Sequence, residues 1–140
     1  MKKRILITVP ILLLMGCWSG GFNSSHRDSV EKSSKYYYNL LMWKHYDRGS
    51  QFVESYSKSD FEKFVMDYKD KLNITSYDIK LIQMSDKNDE ALITVLITYY
   101  LYPSVTEKTV FIRDKWVRKN KSWFVVEPRY GELFLATPQQ

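Results

Sequence analysis

Few residues in this sequence have types and positions that could do chemistry. Cys17 is the only cysteine, which excludes an internal disulfide and a cysteine-based zinc site. His45 and Asp114 are candidates for the general acid or base that an enzyme would need. His26 lies in a stretch rich in Gly, Ser and Asn and is interpreted as a linker residue. No spacing indicates a metal site, a phosphate-binding loop or a nucleophile–base pair, and no cofactor is expected.

Asp114 is the stronger of the two acid–base candidates. It alternates with Ile112 and Trp116 on one face of a predicted strand. If that face is concave, the carboxyl lies among apolar groups and its pKa should rise, as a general base requires. The alternatives are a cross-strand pair with Lys or Arg, or a twist that turns the side chain to solvent.

His45 lies near Tyr38 and Leu41 on a helical wheel, so it is expected to face inward at the end of a helix. The alternatives are a hydrogen bond from its ring to a backbone carbonyl, or a favourable interaction with the C-terminal end of the helix dipole.

Three aromatic residues are candidates for binding a ligand: Trp43, Tyr99 and Trp116. Aromatic groups with polar tips suit a pocket for a small apolar ligand, whose polar end Asp114 or a Tyr hydroxyl would orient. The same groups would equally suit a protein interface. They would also fill a dry core that binds nothing.

The N-terminus has the layout of a secretory signal. Three cations follow the initiator Met, and residues 5–15 are mostly apolar but too few for a membrane-spanning helix. The ending Leu14-Met15-Gly16-Cys17 resembles the bacterial lipobox. This resemblance implies that residues 1–16 are removed and that Cys17 is lipidated and anchored in membrane lipid, with palmitate among its acyl chains. An uncleaved anchor and an ordinary secretory signal are the alternatives.

The expected location is the extracytoplasmic side of the cell membrane or of the outer membrane. Residues 17–28 are predicted to be a lipidated Cys followed by a flexible tether. After removal of the signal, 18 of the 21 basic side chains remain against 16 acidic ones, a net charge of +2. This charge is too small and too dispersed to indicate nucleic-acid binding.

The rest of the chain is predicted to form one domain at residues 29–128, with a tail at 129–140 in which Leu133, Phe134 and Leu135 could dock. Apolar residues follow a helical period up to residue 73 and alternate as in strands after it. The predicted helices cover about 29–46, about 47–56, and 59–73, the last opened by the capping box Ser59-Asp60-Phe61-Glu62. The predicted strands cover about 76–85, 90–102, 106–119 and 122–128.

The predicted fold class is therefore α+β, with N-terminal helices packed on a bent antiparallel four-stranded sheet. Short links between consecutive strands favour a meander. The second strand is apolar on both faces, so it is expected to be long and central. Phe64 of the third helix and Leu96 of this strand are predicted to meet in the core.

Three local patterns carry a family resemblance over about residues 29–128. They are Tyr36-Tyr37-Tyr38-Asn39-Leu40-Leu41, then Ala91-Leu92-Ile93-Thr94-Val95, and finally the hairpin from Trp116 to Val125. Together with the element order they resemble the nuclear transport factor 2-like superfamily, also called cystatin-like. The resemblance implies a cone-shaped fold whose pocket serves catalysis or ligand binding, or whose sheet surface serves assembly.

The expected function is non-catalytic binding of a small apolar ligand or of an envelope protein by a membrane-anchored lipoprotein, for which a homodimer is one arrangement. One alternative is an isomerase- or dehydratase-like enzyme that uses Asp114 or His45. Another is a structural subunit of an envelope assembly. Fold alone does not choose among them.

Overall fold

The helices come first and the strands follow, as predicted. The computed structural model describes residues 22–126 and 128 of the chain, with side chains from Ser25 onward. The elements are α1 (Phe22–Met42), α2 (Tyr46–Gly49), two 3₁₀ turns (Ser50–Phe52 and Ser55–Ser57), α3 (Lys58–Tyr68), β1 (Leu72–Met84), β2 (Glu90–Leu101), β3 (Lys108–Lys119) and β4 (Ser122–Val126). The predictions on the signal peptide, Cys17 and the 129–140 tail lie outside the described residues.

The strands form one antiparallel sheet in the order β1-β2-β3-β4, which confirms the predicted α+β class and the meander. The β3–β4 link is tight because Asn120 and Lys121 both adopt positive φ, at 48° and 68°. Two such residues in a row match the twist of a two-residue hairpin. In β1, register shifts follow Ile74 and Ile79, and irregularities of this kind bend a strand.

The sheet has one covered face and one open face. Along β2, every second residue from Ala91 to Tyr99 is buried, and we call this side the inner face. Helix α1 contacts this side of the sheet through the Tyr38–Asp114 hydrogen bond and the Tyr37–Trp116 ring contact, and one cluster of buried residues includes Tyr37, Phe61 and Ile93. Burial of this apolar surface is the main stabilising contribution to the fold.

The prediction for Leu96 was wrong. It is only partly buried and lies on the other side of β2, which we call the outer face, between Asp78 of β1 and Phe111 of β3. Phe64 is in the core as predicted. Strand alternation correctly separates the two sides of β2, but both sides are apolar, so alternation could not indicate which one the helices cover.

Helix α1 begins at Phe22 rather than at about residue 29, so the tether predicted at 17–28 is partly helical. Nothing from residue 22 to residue 28 breaks a helix, whereas two glycines directly precede it. Val30, fully buried, fixes this helix against the core, and tertiary packing of this kind stabilises a helix beyond its local propensity.

The same helix ends at Met42, several residues before the predicted end. Lys44 has φ of 59°. The N–H of Lys44 donates to the carbonyl of Leu41 at 3.1 Å, and that of His45 to the carbonyl of Leu40 at 2.8 Å. This pair of bonds is a Schellman motif, in which a left-handed residue closes the last turn of a helix.

The capping box predicted for the third helix does not form. Helix α3 begins at Lys58, its N-cap residue Ser57 makes no side-chain capping bond, and Ser59 lies inside the helix. The helix ends at Tyr68, and Asn73, predicted to terminate it, belongs to β1. The apolar stripe of α3 is nevertheless where it was predicted, with Phe61 and Phe64 buried.

A short segment connects the helical layer to the far edge of the sheet. Val53 forms an isolated parallel bridge with Val125 of β4, and the N–H of Glu54 donates to the Val125 carbonyl at 2.9 Å. Glu54 also accepts a hydrogen bond from Lys119 at 2.8 Å, and this bond lowers the pKa of its carboxyl. The segment protects part of an otherwise open strand edge.

Candidate functional site

Asp114 lies in the middle of β3, opposite Ile93 of β2. Its side chain is on the inner face with Ile112 and Trp116, and the residue is 2% exposed. The hydroxyl of Tyr38, from α1, donates a hydrogen bond of 2.6 Å to its Oδ2. The structure thus places the carboxylate beneath the helix, and it does not turn to solvent.

Tyr38 is as deeply buried as Asp114, with 2% exposure. Burial, followed by the charge and the hydrogen bond of Asp114, raises the pKa of its hydroxyl well above the ordinary value. The indole N–H of Trp116 lies beside the Tyr38 oxygen and opposes this shift in pKa, although it does not reach hydrogen-bond geometry. The hydroxyl therefore stays protonated and acts as a donor to the carboxylate.

The Tyr38–Asp114 pair joins two elements that are 76 residues apart in the chain. Because both groups are closed off by the helix and the sheet, a substrate would have to displace core side chains to touch either one. A buried carboxylate without a donor is costly, so the hydroxyl stabilises it where it is. The arrangement supports a positioning role for this pair in holding α1 on the sheet.

Trp116 and Tyr99 are also on the inner face, and both are core residues, at 0% and 1% exposure. The ring of Trp116 packs edge-on against Tyr37 with centroids 5.6 Å apart. Trp116 pairs with Ala91 on β2, whereas Tyr99 is eight residues further along that strand, a separation of roughly 26 Å at ~3.3 Å per residue. The structure therefore does not bring these two rings to one pocket.

Trp43 and His45 are placed differently from the predictions. Trp43 is 66% exposed, and His45 is exposed and serves as the N-cap residue of α2. Both follow the end of α1, so the helical wheel that predicted an inward position for His45 does not apply. Trp43 and His45 are thus exposed, whereas Asp114 is buried.

Open clefts occur on the surface of the described part of the chain. One of about 400 Å³ lies between α2 and α3 and is lined by Tyr46, Asp47, Ser50, Phe61, Glu62, Val65 and Met66. A second, of about 430 Å³, lies at the β1–β2 hairpin end. A third, of about 440 Å³, lies between α1 and β1. The linings of these clefts include none of the predicted site residues.

Sequence reasoning missed two exposed features. Arg48 donates a hydrogen bond to the hydroxyl of Tyr36 and lies 5.6 Å from the centre of its ring. On the outer face, Phe111 is 60% exposed and Leu81 is 47% exposed. The sequence could have indicated that Phe111 is exposed, because Phe111 shares one side of β3 with the polar residues Thr109 and Arg113.

Within residues 22–126, no group of three His, Cys, Asp or Glu residues could hold a metal ion. A search of the described helices for one with the length and hydropathy of a membrane span found none. Comparison of the chain with models of known protein families found no match, and comparison with curated proteins found none either.

Proposed function

We propose that this chain is a lipid-anchored, extracytoplasmic binding protein with a nuclear transport factor 2-like domain, and that it binds a second copy of itself through the outer face of its sheet. One observation carries the proposal: the inner face is filled by core side chains, while the outer face leaves large apolar side chains in solvent. Assembly through the sheet is thus favoured over ligand binding inside the cone.

The likeness to this superfamily is supported by element order. Three helices precede a four-stranded meander, and the register shifts in β1 would curve the sheet around α1. The conical shape is part of the proposal. The cone would be narrow, because Tyr37, Tyr38 and Trp116 occupy the space between α1 and the sheet.

The outer face exposes large apolar side chains among polar ones. Phe111 and Leu81 are its most exposed apolar side chains, and Leu96 lies directly beside Phe111. Large apolar groups clustered on one open sheet face indicate a site for protein contact more often than isolated exposed ones do. Aromatic residues such as Phe111 are enriched at the centres of such interfaces.

The size of this face suits self-association. Its strands β1 to β3 have 12 or 13 residues each, about 40 Å in length, and together they span roughly 14 Å in width, with the five residues of β4 beside them. The resulting area is of the order of the ~800 Å² that each partner buries in a standard interface. Asp78, which also pairs with Lys80 of the same strand, and Arg113 give the same face both signs of charge, which an isologous pair can match.

The anchor would leave this face free. Helix α1 starts at Phe22, so the link from Cys17 spans at most ~18 Å at ~3.6 Å per residue. The link joins the helical layer, on the side of the domain opposite the outer face. A second protein, rather than the membrane that holds the anchor, is therefore the natural occupant of the outer face.

The dimer has a direct test in the substitution Phe111→Asp. We expect the wild-type protein to sediment as a dimer in a density-matched non-ionic detergent, and Phe111→Asp to weaken the association by about tenfold or more, because a charge is buried without a partner. Trp43→Asp is the matched control, since Trp43 is as exposed as Phe111 but lies at the end of α1. A monomeric wild-type protein, or equal weakening by both variants, would contradict the proposal.

The anchor is tested by Cys17→Ser. The wild-type protein should partition with membranes and incorporate labelled palmitate, whereas Cys17→Ser should remain unprocessed or soluble and should lose the label, because the thiol is the acceptor of the lipid. Ser19→Ala is the control and should behave as wild type. Equal labelling of the wild-type and Cys17→Ser proteins would contradict lipidation at this residue.

The enzyme alternative gains no support from the geometry. Asp114 is closed into the core, and His45 is exposed with no acidic side chain bonded to it among the described residues. A general base must reach the proton that it removes, and neither residue combines access with a positioned partner.

A further inference from the structure

The cleft between α2 and α3 has an apolar floor built from the core. Tyr46 of α2 packs edge-on against Phe64 with ring centroids 6.3 Å apart, and Phe64 in turn lies 6.2 Å from Phe61. These contacts hold the floor rigidly, because each ring is fixed by another ring. Met66, 77% exposed, forms a flexible and polarisable rim.

Two acidic residues line this cleft, Asp47 from α2 and Glu62 from α3. Neither forms a side-chain hydrogen bond or an ion pair within the described part of the chain. Asp70 adds negative charge nearby: its charge, after the larger effect of burial, raises the pKa of the Tyr46 hydroxyl. The cleft is therefore apolar at its base and negative at its sides.

Arg48 and Lys44, the two cations that flank Asp47 in the chain, donate to neutral groups outside the cleft. Arg48, on α2 beside Asp47, directs its guanidinium to the hydroxyl and ring of Tyr36. Lys44 donates to the backbone carbonyl of Lys69 at 3.1 Å. The lining of the cleft contains no Lys or Arg, so the two carboxylates are available to a cation that comes from outside.

We propose that the α2–α3 cleft binds a small organic ammonium compound, with its apolar group on Tyr46 and Phe61 and its charge between Asp47 and Glu62. A volume of about 400 Å³ accommodates a group of this size. An ammonium charge held near an aromatic ring gains a further electrostatic attraction. This site is separate from the outer face and does not depend on self-association.

The test uses 2-phenylethylammonium as the probe and 2-phenylethanol as its neutral counterpart, added to the full-length protein in non-ionic detergent. NMR signals of the Met66 and Val65 methyl groups report on the cleft. We expect saturable shifts with the ammonium probe and about fivefold to tenfold weaker binding of the alcohol, as two partly solvated ion pairs would give.

The double variant Asp47→Asn with Glu62→Gln should remove the preference for the charged probe while the alcohol binds as before. Asp86→Asn with Glu107→Gln, which removes the same charge from exposed turns and loops, should leave the preference intact. Equal binding of both probes by the wild-type protein, or an unchanged preference in the cleft variant, would overturn the proposal. Shifts confined to other methyl groups, or no shifts at millimolar probe, would overturn it as well.

Discussion

Replacing Ile97 by Ala should lower the free energy of unfolding by about 2–5 kcal/mol, whereas replacing its neighbour Leu96 should cost less than about 1 kcal/mol. Ile97 is 1% exposed on the inner face, so truncation removes packed methyl groups and leaves a cavity. Leu96 is partly exposed on the outer face, where water can fill the space. Urea unfolding followed by circular dichroism measures both values.

These two substitutions control for each other, because they affect the same strand at adjacent positions. Unfolding should be measured at two protein concentrations, since association through the outer face would add a stabilisation that depends on concentration. Equal costs at Leu96 and Ile97 in dilute protein would contradict the assignment of the inner and outer faces. For a domain whose net stability is ~5–15 kcal/mol, the Ile97 variant would already be markedly weakened.

The second large effect is expected at Tyr38. Tyr38→Phe should cost about 1–3 kcal/mol at neutral pH, because the Asp114 carboxylate stays buried and loses the donor at 2.6 Å. This loss in the free energy of unfolding measures what the hydrogen bond between Tyr38 of α1 and Asp114 of β3 contributes to stability. Thermal or urea unfolding reports it, and Tyr56→Phe, a change at a 63% exposed hydroxyl, is the matched control.

Tyr38 should also make stability depend on alkaline pH. Its pKa is raised in the folded state, so its contribution is complete below the unfolded value of about 10 and is lost as the pH rises towards the folded value. Above about pH 10 the slope should be shallower in Tyr38→Phe than in the wild-type protein, by up to ~1.4 kcal/mol per pH unit. Identical slopes would show that this hydroxyl ionises as readily in the folded protein as in the unfolded chain.

Local patterns were sufficient for much of the secondary structure. The change from a period of 3.6 to alternation located the start of the sheet within a few residues, and Asn120-Lys121 indicated the last hairpin. Helix ends were predicted less well, because the end of α1 is set by the left-handed Lys44 and the start of α3 uses no side-chain cap. Such ends depend on how the chain must turn to pack, and residue spacing contains little of that information.

The candidate site residues also show what local patterns predicted and what only packing decided. Alternation along β3 placed Asp114 correctly on the side of Ile112 and Trp116, but nothing local indicated that Tyr38 would meet it. The predicted positions of Trp43 and His45 assumed that α1 continued to about residue 46. The helix ends at Met42 instead, and both residues are exposed. Where the helix stops decides which way these side chains point.

The sequence by itself determined the class of fold, the strand order and the spacing of apolar positions within each element, because these follow from periodicity and short links. Only the tertiary structure decided which side of β2 is covered, since Ile93 and Leu96 are equally apolar and a strand alone has no inside. It also decided that Trp116 and Asp114 belong to the core and Phe111 to the surface. The physical reason is that burial depends on contacts between segments far apart in the chain, such as Tyr38 with Asp114, and local residue types do not specify those contacts.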